Sequence, residues 1–111
     1  MSQSLTRELL LAALRRELPY LRQKYGVTRV ALYGSYARGT PTSKSDIDLL
    51  VELSRPLGLE FISLALYLEK RLGHKVDLAT FDDLRRGLNT PRRRPISLEI
   101  ERSLTDVVST A

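Results

Sequence analysis

Two apolar runs, Val27–Tyr33 and Asp46–Leu53, are joined by residues 34–45, and the shortness of that connection most constrains the fold. A parallel crossover needs a dozen or more residues, usually helical. Here the Gly39-Thr40-Pro41 break leaves room for no more than a short helix over Ser35–Arg38. The two runs are therefore expected to pair as antiparallel strands. Side chains alternate across a strand, so Val30 and Leu32 should face one way and Ala31 and Tyr33 the other.

The rest of the chain builds outward from that pair. Leu59–Leu72 places Phe61 or Ile62, Ala65, Leu68 and Leu72 at spacings of three and four and stops at Gly73, which predicts an amphipathic helix. Lys75–Thr80 reads as a third strand. A helix between strands two and three suits a parallel, right-handed βαβ unit. Thr80, followed by Asp82 and Asp83, predicts an N-cap with acids in the first turn of a helix to about Leu88. Upstream, Ser4 is a candidate cap for a helix over 4–17, with Leu5, Leu9 and Ala13 beside Leu10 and Leu14. Pro19 should break the helical ladder, so a kink or fresh start is expected there. A short piece carrying Leu18, Leu21 and Tyr25 then ends at Gly26. Downstream, 89–95 reads as a basic linker. Ser97 reads as the cap of a last helix over about 97–109, with Ile100, Leu104 and Val107 or Val108 on one face. The expected architecture is a single α/β (α+β) domain, a small mixed sheet backed by helices, with its core at about 18–88.

Composition narrows the function. The 111 residues include no cysteine, which excludes a thiol nucleophile and a Cys-ligated zinc site. The N-terminus lacks the basic-then-apolar pattern of a signal peptide, and no apolar run approaches the roughly 20 residues of a membrane helix. A cytoplasmic protein is expected. The net charge of +5 suits anionic partners or plain solubility. Arg92, Arg93 and Arg94 could meet RNA phosphate or an acidic partner, or be a solvated linker. No aromatic residue interleaves them, so a base-stacking platform is not expected.

The candidate chemistry lies at the ends of the strands. Asp46 and Asp48 are two apart and should project together. Two carboxylates about 4 Å apart repel by roughly 4 kcal/mol at an effective dielectric near 20. A raised pKa, a basic neighbour or a metal must therefore offset them. Antiparallel pairing returns these acids to Gly34 and Ser35, and a parallel crossover sets Asp77 beside them. Three carboxylates on adjacent strand ends, next to a turn able to bind phosphate, are the parts of a Mg²⁺-dependent phosphoryl- or nucleotidyl-transfer site. Ser35 would offer its hydroxyl and the following N–H groups to the terminal phosphates, and Gly34 would let the backbone approach and turn. Arg38 is a candidate phosphate or helix-cap contact. Lys44 and Ser45 belong to the spacer loop, and His74, the lone histidine, reads as a surface residue.

Gly34-Ser35, a ten-residue spacer, Asp46-x-Asp48 and the later Asp77 resemble the signature of the DNA polymerase β-like nucleotidyltransferase superfamily. Tyr-Gly-Ser-x-Ala-Arg-Gly (33–39) and Ser-Asp-Ile-Asp-Leu-Leu-Val (45–51) resemble its minimal nucleotidyltransferase (MNT) branch. The resemblance implies that Asp46 and Asp48 hold two Mg²⁺ ions on the triphosphate. It gives Asp77 the completion of the metal site and a part in deprotonating the acceptor, and it sets Gly34 and Ser35 on the β- and γ-phosphates. It further implies transfer of AMP from ATP. Where relatives carry a basic residue after Gly-Ser, this chain has Tyr36, which removes a phosphate contact.

Larger relatives grip the base or acceptor with a second domain, for which this chain has no room. In the MNT branch a helical HEPN-type toxin presents the acceptor, and the MNT protein acts as an antitoxin by adenylylating a tyrosine. Nucleic acid is not the main substrate expected. Two other readings remain: a transferase for a small hydroxylated molecule of the aminoglycoside kind, and a non-catalytic antitoxin that neutralises its partner by binding.

Overall fold

A computed structural model describes residues 5–108, in which helices and strands are interleaved. In order, the elements are α1 (Arg7–Tyr25), β1 (Val27–Tyr33), α2 (Gly34–Arg38), β2 (Ile47–Leu53) and α3 (Glu60–Leu72), then β3 (Val76–Thr80), α4 (Phe81–Leu88), α5 (Arg94–Ser103) and β4 (Thr105–Asp106). The strands stand in the order β3-β2-β1-β4. β1 and β2 pair antiparallel, as the short connection requires, and β2 and β3 pair parallel across the α3 crossover.

The alternation along β1 and β2 sorts side chains between two cores. Val30, Leu32, Ile47, Leu49 and Val51 face α1 and α3, where Leu10, Leu14, Leu21, Leu64 and Leu68 meet them without solvent exposure. Ala31 and Leu50 face the other way, onto Phe81 and Leu84 of α4, with Ile100 and Leu104 packed alongside. β2 is thus covered on both faces, which is why its apolar run is nearly continuous. Leu10, Leu11, Leu14 and Val107 belong to the larger core, so the packed unit extends beyond 18–88 on both sides. On α3, Leu64 and Leu68 point inward and Phe61 and Leu72 lie at the core edge, whereas Ile62 and Leu66 are open to solvent. No helix among the described residues is long and apolar enough to cross a membrane.

Several expectations are corrected. Pro19 neither kinks nor restarts the first helix, which runs unbroken from Arg7 to Tyr25 instead of ending near residue 17. A proline inside a helix costs about 3 kcal/mol. Leu10 and Leu14 before it and Leu21 and Tyr25 after it are all buried, and together they outweigh that cost. The buried carboxylate of Glu17 reinforces the join: it accepts from Tyr67 Oη at 3.0 Å and Arg71 Nε at 2.6 Å, tying α1 to α3. Ser4 lies outside the described residues, and Thr6 caps α1 by accepting from the Leu9 N–H.

The last helix is also displaced. It begins at Arg94, with Arg93 at the cap position and Pro95 in the first turn, so the expected linker 89–95 is a tight turn over 89–93 followed by the start of α5. Ser97 is buried against Gly87, where any side chain would collide with its hydroxyl, and caps nothing. Beyond Ser103 the chain leaves the helix and becomes β4 on the free edge of β1, with Arg29 Nε donating to Asp106 at 2.8 Å and the Val107 N–H to the Val30 carbonyl at 2.9 Å. Ile100, Leu104 and Val107 fit helical spacing, yet an unpaired sheet edge offered Thr105–Val107 a ladder that the helix could not.

Candidate active site

Tyr33, Asp48 and Asp77 form one row across three strands. Tyr33 is the register partner of Asp48 in the antiparallel pair, and Asp48 is the partner of Asp77 in the parallel pair. All three share the face occupied by Ala31, Leu50 and Ala79. Asp46 stands two residues before Asp48, just ahead of β2, and is exposed, as is Asp77. Gly34 follows Tyr33 with φ +75°, a left-handed conformation that favours glycine. A Cβ there would be driven into the Asp48 carboxylate, whose Cγ lies 3.2 Å from the position. The glycine thus turns the chain into α2 and admits the acid beside it.

The electrostatics follow from this crowding. Burial, then Asp77, then Asp46 push the Asp48 carboxyl from its ordinary 3.8 up to about 6, with Arg38 pulling the other way. Burial and the same two strand acids, Asp77 and Asp48, raise the Tyr33 phenol to about 12, so it keeps its proton at neutral pH. Among the described residues no three acidic, histidine or cysteine groups are drawn close enough to form a ready metal cage. The donors are all hard oxygens, with Arg38 as a cation that acts on Asp48, and that donor set fits a Mg²⁺ ion.

The other predicted residues divide clearly. Ser35 lies in the first turn of α2, partly exposed, and its carbonyl accepts from the Thr40 N–H at 2.9 Å to close the loop. Arg38, at the far end of α2, is exposed and close enough to Asp48 to influence its titration. Ser45 is engaged in its own turn, accepting from the Thr42 N–H at 2.9 Å, and Lys44 is exposed. His74 is exposed and meets the Tyr36 ring edge-on. Tyr36 itself is 4% exposed, in the larger core. In this chain the position therefore serves packing, and a basic residue there would face apolar side chains.

Sequence reasoning missed two features of the site. Ser103, at the end of α5, accepts from the Gly34 N–H at 3.1 Å and donates to the Ile100 carbonyl. It fixes the Gly-Ser turn from an element 69 residues away, and no local pattern could have signalled it. The second is a cavity of about 190 Å³ beside the acid row, walled by Tyr33, Leu50 and Ala79 of the sheet and by Leu84, Ile96 and Ile100 of the helices.

Comparison with known proteins places the chain in a family. The model of the nucleotidyltransferase domain family matches residues 14–104, and the chain belongs to that family. The protein adenylyltransferase MntA of Thermococcus cleftensis is 40% identical over 82 residues, which cover 73% of this chain and 80% of that protein. The solved structure of a candidate minimal nucleotidyltransferase superposes with a TM-score of 0.66 at 32% identity, covering 94% of this chain and 98% of the other. A toxin–antitoxin crystal structure with AMP-PNP shares the fold at TM-score 0.62 and 21% identity, over 86% of this chain and 73% of that one. The resemblance read from Gly34-Ser35 and Asp46-x-Asp48 and the mixed α/β fold expected with it both hold.

Proposed function

We propose that this nucleotidyltransferase moves AMP from ATP to a tyrosine hydroxyl of a HEPN-type toxin partner in the cytoplasm, and so acts as its antitoxin. The observation that carries the reading is the row of Asp48 and Asp77, with Asp46 alongside, directly against the Gly34 turn. The named adenylyltransferase relative and the toxin–antitoxin neighbour support the acceptor class.

Asp46, Asp48 and Asp77 would hold Mg²⁺, two ions by the family resemblance. When bound, the metal neutralises triphosphate oxygens and makes the α-phosphorus more electrophilic. The chain's own groups do the rest. Ser35 presents its hydroxyl, and the first turn of α2 its N–H groups, to the β- and γ-phosphates. Gly34 keeps the backbone close to them, and Arg38 adds positive charge at the other end of α2. The acceptor oxygen attacks the α-phosphorus, the bond to the pyrophosphate oxygen breaks, and pyrophosphate leaves. Asp77, the exposed member of the strand row, takes the phenolic proton.

Incubation with Mg²⁺, a HEPN-type partner and ATP labelled in the base or at the γ-phosphate tests this reading. Base label should appear on the partner and γ-label should not, and Asp46→Asn or Asp48→Asn should abolish transfer. Neutralisation of the toxin that survives both substitutions would replace catalysis by simple binding. Base label found only on an aminoglycoside-like small molecule would replace the protein acceptor. Full-rate transfer by Asp77→Asn would remove that residue from the set.

A further inference from the structure

We infer that the cavity between the sheet and the α4–α5 hairpin is the seat of the donor's base, so that this domain itself takes part in selecting the nucleoside triphosphate. The inference rests on the transferase reading for its ligand and on separate residues for its geometry. Leu50 and Ala79 follow Asp48 and Asp77 by two residues on the same strands and the same face. The cavity therefore begins about 7 Å along the strands from the acid row. Tyr33 belongs to both places: it lines the cavity, and it is the register partner of Asp48 in the acid row.

The chemistry of the walls excludes the triphosphate and suits a flat, weakly polar ring. Aliphatic side chains and one phenol ring form most of the lining, and burying phosphate charge against them would be costly. At about 190 Å³ the space exceeds the roughly 150 Å³ that suffices for benzene in an apolar protein cavity. Ser97, held by close packing on Gly87, supplies a hydroxyl-bearing side chain to the lining, and Arg93 supplies a planar guanidinium able to stack on a base. Asp83 also borders the cavity, but its carboxylate is already engaged by Thr80 and Arg86. Arg93 thereby gives a role to one member of the Arg92–Arg94 run. The base of a donor lies at a bounded distance from its α-phosphorus, whereas an acceptor reaches that phosphorus from outside. A pocket one step along the strands from the acids is therefore the donor's.

Calorimetric titration of the intact chain in Mg²⁺ with ATP and with tripolyphosphate tests the assignment. The wild type should bind ATP at least about tenfold more tightly than tripolyphosphate. Ala79→Ile fills the cavity and should bring ATP to the affinity of tripolyphosphate while changing the latter by less than about twofold. Ile96 is 69% exposed, so Ile96→Ala tests the same wall without risk to folding. It should weaken ATP alone, by about fivefold. Equal binding of the two ligands by the wild type, or an ATP preference untouched by both variants, overturns the inference. So does loss of transfer in Ala79→Ile with ATP affinity intact, which would assign the cavity to the acceptor. Asp48→Asn separates the two readings: it should weaken both ligands together, and if it weakens neither, the role given to the acids fails while the ATP preference still reports on the pocket.

Discussion

Substituting Asn for Asp48 removes one charge from the acid row and leaves the side chain's shape nearly unchanged. In the folded protein that carboxyl is raised from 3.8 to about 6 by burial and by Asp77 and Asp46. The folded state therefore holds the proton more tightly than the unfolded chain. The resulting stabilisation is fully present below about pH 3.8 and is lost as the pH rises through about 6. At full weight the shift corresponds to about 3 kcal/mol. The side chain is only half-buried, and solvent screening reduces this to about 1 kcal/mol. Urea denaturation at about pH 4 should show the two proteins equally stable. At about pH 7.5 Asp48→Asn should be the more stable by about 1 kcal/mol, or about 4 °C in Tm. Added Mg²⁺ should raise the wild-type midpoint at the higher pH, because it binds the native state, and should leave the variant nearly unmoved. An Asn variant that is less stable at pH 7.5, or whose difference from wild type is the same at both pH values, would refute the reasoning.

Gly34→Ala forces a Cβ into a left-handed backbone and onto the Asp48 carboxylate, so it should cost about 3 kcal/mol in urea denaturation and abolish nucleotide binding. Tyr36→Arg, which restores the basic residue expected in relatives, should lose about 3 kcal/mol and gain no triphosphate affinity by calorimetry, since the position faces the core. Ser103→Ala leaves the Gly34 N–H without its hydroxyl partner. It should cost about 1 kcal/mol and speed hydrogen exchange at the Gly34 amide.

Much of the sheet was legible in the sequence because strand alternation and connection length are local quantities. Residues 34–45 are only a dozen and are broken at Gly39-Thr40-Pro41, which leaves no helix long enough to cross over and points to antiparallel β1 and β2. The register then brought Asp48 beside Asp77 as expected. The N-cap at Thr80 was equally readable, since its partners lie within four residues, and the structure completes it as a capping box with Asp83. Pro19 misled because propensity counts the lost hydrogen bond and not the leucines buried on both sides of it. The final helix misled because Ile100, Leu104 and Val107 satisfy a helical period whether or not a free strand edge stands nearby.

The sequence by itself determined the strand order around the acids, the acid set and the turn that faces it. Each depends on spacing along the chain, and spacing survives in one dimension. The tertiary structure alone decided which groups are occupied and which are open. It turned Tyr36 into the core, set Ser103 on the Gly34 N–H, bent the C-terminal segment into β4 and left a cavity beside Asp48 and Asp77. These depend on burial and on contacts between distant residues, where packing free energy outweighs local preference.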